Sequence, residues 1–129
     1  MQVLLLPVRD DWYAMELLRV REVLNAPAAA PLPTAPATVL GLFNLRGQVV
    51  PLLDTAALLG LAPLGEARTA VVIATEHGPV GLAASGPAET AELPEAAGPG
   101  QLPATRSWHD VDGRVATLVD TDALVGAVA

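Results

Sequence analysis

A seventeen-residue pattern occurs twice in this chain, and a chain built that way folds as two related units. Asn44 to Gly60, NLRGQVVPLLDTAALLG, returns 66 positions later as Asp110 to Gly126, DVDGRVATLVDTDALVG. Gly47 aligns with Gly113, Val49 with Val115, Leu52 with Leu118, Asp54 with Asp120 and Gly60 with Gly126. Because the chain is 52% apolar, shared Leu and Ala carry little weight. A shared turn glycine, capping acid and trailing glycine at one offset carry much more.

Each copy reads as strand, turn, strand and helical turn. The first strand ends at Leu45, and Arg46-Gly47 makes a two-residue turn in which Gly47 can take positive φ. The second strand runs from Gln48 to Leu53. Asp54 then opens a short helix, where its carboxylate can accept from the N–H groups of Ala56 and Ala57. Ala57, Leu58 and Leu61 are expected to form that helix's apolar stripe. A second hairpin recurs at an offset of 67. Val3 to Leu6, a turn at Asp10-Asp11 and Trp12 to Met15 become Ala70 to Ile73, a turn at His77-Gly78 and Val80 to Leu82. Short strands with turn signals between them predict a pair of small barrels or a double barrel.

At 129 residues the chain suits one compact domain, with duplicated halves at about 1–62 and 68–129 joined by Ala62 to Arg68. Leu17 to Leu24 is predicted to be an amphipathic helix, with Leu17, Val20 and Leu24 inward and Arg19, Arg21 and Glu22 toward solvent; Asn25 stops it. Ala26 to Thr38 carries Pro27, Pro31, Pro33 and Pro36 and is expected to cross in extended form, partly as an edge strand. Ala88 to Leu93 suits a strand. Ala96 to Gly100 has loop chemistry, and high mobility is expected there.

The same residues exclude several kinds of chemistry. The net charge is −7 and all seven basic residues are Arg, so the concentrated positive face that nucleic acid requires is not expected. No apolar run approaches 18 residues and the start lacks a charged signal region, which predicts a soluble, non-secreted protein without membrane insertion. Without cysteine there is neither disulfide nor thiolate chemistry. His77 and His109 lack a partner at i+3 or i+4, so no metal site is expected. Ser85 and Ser107 sit in no nucleophile elbow. Without a glycine-rich phosphate loop or any lysine, no nucleotide or other cofactor is expected. Leu53-Asp54-Thr55-Ala56 and Val119-Asp120-Thr121-Asp122 superficially resemble the paired signature of aspartic proteases, whose carboxylates share a proton. The glycine of that signature is replaced by Ala56 and Asp122, and helix capping accounts for both acids, so no catalytic residue is assigned.

Asn44 to Asp54 resembles the signature of CheW-like domains, the adaptors of bacterial chemosensory arrays. Tyr13-Ala14-Met15 leading into Val20 to Val23, Pro36 to Gly41, Val80-Gly81-Leu82, and Asp112-Gly113-Arg114 followed by Leu118-Val119-Asp120 resemble further landmarks of that family. The likeness extends over nearly the whole chain. It implies a mainly β fold of two intertwined five-stranded SH3-like barrels with short helices, forming a single domain over 1–129. It further implies a non-catalytic adaptor that joins the signalling tip of a methyl-accepting chemoreceptor to the regulatory domain of a CheA-type histidine kinase. Such a protein is cytoplasmic and recruited to receptor arrays at the inner membrane. An SH3-like interaction module outside chemotaxis, in a pilus or other signalling array, is the alternative.

Under that resemblance Arg46 is the leading partner contact, because a hairpin-tip guanidinium offers a rigid five-donor fork. Asn44, Leu45, Glu22, Val20 and Val23 complete the candidate surface. Each also has a plainer reading: Arg46 as a solvated turn residue, Asn44 as the hairpin's fastener, Glu22 as an exposed helix charge, and the two valines as core. Gly41, Gly47, Gly81 and Gly113 are expected to serve the backbone, and Asp54 and Asp120 the helix caps. Ser85-Gly86-Pro87 and Ser107-Trp108-His109 depart from the family pattern, which predicts a reduced second barrel.

Overall fold

In a computed structural model describing residues 1–25 and 27–126, the chain forms two antiparallel-rich sheets and two short helices. Ala26, at the start of the expected crossing segment, and residues 127–129, at the end of the second half, lie outside the described residues. The strands are β1 (Gln2–Val8), β2 (Asp11–Glu16), β3 (Val20–Asn25), β4 (Val39–Leu45), β5 (Gln48–Leu53), β6 (Thr69–Thr75), β7 (Gly78–Ala84), β8 (Glu89–Glu92), β9 (Gly98–Pro99), β10 (Thr105–Val111) and β11 (Arg114–Val119). Helix α1 (Thr55–Leu58) follows β5, and α2 (Thr121–Gly126) follows β11. The fold is mainly β, as the resemblance implies.

Strand order is β8-β1-β2-β11-β10-β9 in one sheet, here sheet A, and β3-β6-β7-β5-β4 in the other, sheet B. Neither sheet belongs to one half of the sequence. In sheet A the hairpin β1–β2 joins the hairpin β10–β11 through a parallel pairing, with Ala116 opposite Trp12 and Leu118 opposite Ala14. In sheet B the hairpin β6–β7 joins β4–β5 in the same way, with Leu52 opposite Gly81 and Leu53 opposite Leu82. Each sheet thus takes its first hairpin from one half and its second from the other. The two outer positions match as well: β3 flanks β6 as β8 flanks β1. A bridge between Ala30 and Leu42 flanks β4 as β9 flanks β10.

The apolar runs explain why the sheets do not separate. Val3, Leu5, Ala14, Ala116 and Leu118 face a core inside sheet A, while Leu4, Leu6, Val8, Tyr13 and Met15 face a second core shared with Leu53, Val71, Ile73, Leu82 and Ala84 of sheet B. Phe43, Val50, Leu52, Ala70, Val72 and Ala83 form a third core inside sheet B. β1 and β6 are therefore buried on both faces, which an uninterrupted apolar run permits and an alternating one does not. At roughly 1.5–3 kcal/mol for each fully buried Leu or Val, the shared core makes the two sheets one body.

Several expectations are corrected. Leu17 to Leu24 is not a helix: Leu17–Arg19 is a single 3-10 turn and Val20 begins β3, whose alternating burial has period two. The turns of β1–β2 and β6–β7 fall one residue early, at Arg9-Asp10 and Glu76-His77. In α1 the buried apolar residues are Ala56 and Leu58, joined by Leu59, while Ala57 and Leu61 are only half-buried. Ala96 to Gly100 is no free loop, since the N–H groups of Ala97 and Gly100 donate to the carbonyls of Trp108 and Arg106 and Gly98–Pro99 pairs with β10. A Cβ on Gly98 would lie 2.3 Å from Trp108 Nε1, so this glycine is what lets the segment lie against the indole. The sheet holding Ser107-Trp108-His109 is not reduced; it has six strands where five were expected.

Candidate functional site

Arg46 and Gly47 form the β4–β5 turn with φ of 52° and 84°, the positive values a two-residue turn of this kind requires. Asn44 sets that turn, its Oδ1 accepting from the Gly47 N–H at 2.9 Å. With its backbone left-handed, Arg46 directs its guanidinium to Glu22 on β3: Nη1 donates to Oε2 at 2.7 Å and Nη2 to Oε1 at 2.5 Å. β3 and β4 are the two outer strands of sheet B, so this fork joins opposite margins of a curled sheet. The Arg46 side chain is 74% exposed and Glu22 only 24%. Hydrogen bonding to Arg46 holds the Glu22 carboxyl below its ordinary range, and the same bond raises Arg46.

Sheet A repeats the device with different residues. Glu89 on β8 is the repeat equivalent of Glu22, and it pairs with Arg114 at the start of β11. Arg114 also lies over the Trp12 ring, 4.5 Å from its centroid, a cation–π contact without parallel in the Arg46 pair among the described residues. The turn here is Asp112-Gly113, again at φ 52° and 84°, with Asp110 Oδ1 accepting from the Gly113 N–H at 2.8 Å. The equivalent hairpin tips therefore present opposite charge, an arginine on sheet B and aspartates on sheet A.

Of the other sequence-derived candidates, Leu45 is half-buried against the sheet B core and Val20 half-buried against the shared core. Val23 is exposed at 44%. A Cβ on Gly41 would meet the Ala30 carbonyl oxygen at 2.5 Å, and one on Gly81 the Phe43 ring at 3.0 Å, so both glycines mark close approaches. Asp54 is fully buried. Its Oδ1 accepts from Ala57 N–H at 3.0 Å, and its Oδ2 accepts from Leu64 at 2.8 Å and Gly65 at 3.2 Å instead of from Ala56. Asp120 caps α2 through Ala123 at 3.2 Å and takes Arg106 at 3.1 Å; the Ala123 bond, then Arg106, hold its carboxyl below the ordinary range. With their oxygens engaged in separate local networks, the two acids do not share a proton as a protease dyad would.

Sequence reasoning missed a surface trough. Leu18, on the 3-10 turn, is 98% exposed. It edges a groove of ≈ 820 Å³ whose other walls include Arg19, Arg21, Thr75, His77 and Asp122. A second groove of ≈ 430 Å³ reaches from Arg21 and Glu22 to Arg46 and Pro79. Both include Arg21, Ala74 and Thr75, so they form one trough along β3 and the β6–β7 tip. No group of three His, Cys, Asp or Glu among the described residues could hold a metal. No helix among them is long and apolar enough to cross a membrane.

Two sheets sharing a core, one of them ion-paired between its outer margins through Arg46 and Glu22 and edged by an open trough, define a rigid β scaffold that offers surface. Residues 2–129 match the family model described as the CheW-like domain, and the chain belongs to that family. Curated relatives include a probable chemotaxis protein CheW of Rhizobium etli, 35% identical over 69 residues covering 54% of this chain and 44% of the relative. The chemotaxis protein CheW of Rhizobium meliloti is 44% identical over 54 residues, 42% of this chain and 35% of the relative. The chain thus aligns with less than half the length of either. Among solved structures, the scaffolding protein TtCheW from Thermoanaerobacter tengcongensis superposes with a TM-score of 0.79 at 16% identity, over 92% of this chain and 82% of that one, a likeness of fold.

Proposed function

We propose that this chain is a non-catalytic adaptor, bridging a chemoreceptor's cytoplasmic signalling tip to the regulatory domain of a CheA-type histidine kinase. The match of residues 2–129 to the CheW-like domain carries this reading. The geometry supports it: a body with a shared core keeps two surfaces in fixed relation, so a receptor on one face and a kinase on another are held in register. The receptor face is the trough along β3, with Val20, Val23, Leu45, Asn44 and the Arg46–Glu22 pair at or beside it, a groove suited to an apolar-faced helix. The kinase meets the tip of a hairpin in the other sheet. The protein works in the cytoplasm, beneath receptor arrays of the inner membrane. Titration calorimetry against the purified receptor signalling fragment and against the kinase regulatory domain should detect both complexes. Binding to neither, with binding to an unrelated partner, would favour an interaction module outside chemotaxis.

A further inference from the structure

The cation best placed to receive an acidic group in the trough is not Arg46. Both Nη groups of Arg46 already donate to Glu22, and Arg19 is likewise paired with Asp122, Arg106 with Asp120 and Arg114 with Glu89. Arg9 donates to the Pro63 carbonyl. Among the described residues Arg21 and Arg68 are the two arginines whose side chains make no ion pair or hydrogen bond. Arg68 is outside both grooves, whereas Arg21 lines each of them. Along β3, Arg21 and Val23 are exposed while Val20 and Glu22 are half-buried, and the strand shifts register between Val20 and Glu22. Fully exposed Leu18 precedes Arg21 by three residues. The carboxylates in the trough walls are Glu22 and Asp122, each held by another arginine, and Glu76, which lies 3.5 Å from His77.

We propose that Arg21 is the specificity-determining anchor of the trough, taking a carboxylate of an acidic, amphipathic protein segment whose apolar side chains cover Leu18 and Val23. This rests on the trough being the receptor-facing surface. An unpaired guanidinium is free to form a forked, charge-assisted contact, whereas Arg46 would first have to release Glu22. On a chain of net charge −7, an exposed arginine that no carboxylate engages, with exposed Leu18 and Val23 close in sequence, also sets the sign of the partner it admits.

The test measures binding of the full chain to the purified receptor signalling fragment by calorimetry at low and high NaCl, with thermal unfolding recorded for each variant. Arg21→Glu is expected to weaken binding by about tenfold or more, and Arg21→Gln by a few-fold with a flattened salt dependence. Arg68→Gln, the same charge change outside the trough, should stay within about twofold. Should Arg21→Glu unfold, Arg21→Gln decides alone. Wild-type binding that Arg21 variants retain within about twofold would overturn the proposal while leaving the adaptor reading intact. An equal loss in Arg68→Gln would reduce the effect to overall charge and overturn it too. Failure of the wild type to bind the fragment would overturn both the receptor reading and this inference.

Discussion

Asp54 and Asp120 occupy equivalent positions in the two copies of the repeat, yet only one is buried. Asp54 is closed off from solvent and ties three backbone N–H groups from α1 and the 62–68 linker, while Asp120 keeps its side chain 31% exposed and shares it between Ala123 and Arg106. The arginine pairs diverge too. On sheet B the arginine stands at the turn, exposed; on sheet A it lies back on Trp12 and leaves aspartates at the tip. One repeated plan thus yields a sheet B whose acid holds the passage through 62–68 and whose hairpin displays a cation, beside a sheet A whose hairpin displays aspartates. The repeat supplies the frame, and differences at a few polar positions give the two sheets different faces.

The largest expected effect separates the two acids. Asp54→Ala leaves the N–H groups of Ala57, Leu64 and Gly65 without their acceptor and should cost about 3 kcal/mol or more in denaturant unfolding. Asp120→Ala loses a partly exposed cap and should cost about 1 kcal/mol. Equal costs would break the comparison. Next, Gly98→Ala must displace the Trp108 indole, for about 1–3 kcal/mol, and should alter the tryptophan fluorescence of the folded state.

Gly47→Ala and Gly113→Ala should each cost about 1 kcal/mol, and alike, because both glycines hold φ of 84° with open space where a Cβ would stand. A large inequality there would mean that the turns are not equivalent. The smallest effect concerns pH. Asp120 is held below its ordinary carboxyl value in the fold, so its contribution is present above that value and is lost as pH falls through the lowered one. Asp120→Asn should flatten the acid limb of stability against pH.

Much of this fold is legible in the sequence. The turn at Arg46-Gly47, the capping acid and the recurrence of both hairpins follow from local chemistry that tertiary context did not override. The helix expected at Leu17 to Leu24 fails because Leu17, Val20 and Leu24 satisfy a helical period, whereas the alternating burial of β3 runs against its hydropathy, with Glu22 half-buried and Val23 exposed. The repeat held the deciding signal: at the offset of 67, Glu22 falls on Glu89, inside a segment that reads as strand. The resemblance implies intertwined halves, but which hairpins join is not legible in the residues, since a parallel pairing between β2 and β11 leaves no mark at short range. Arg46 and Glu22 each stand out in the sequence, but their union is hidden as long as Glu22 reads as a helix residue. The trough with Leu18 and Arg21 was missed for the same reason.

The adaptor role is tested most directly by sedimenting receptor-containing membranes with purified CheA-type kinase while this chain is titrated in. Kinase in the pellet should rise with added chain to a plateau set by receptor, and remain in the supernatant without it. Recruitment that is the same with and without the chain would contradict the bridge.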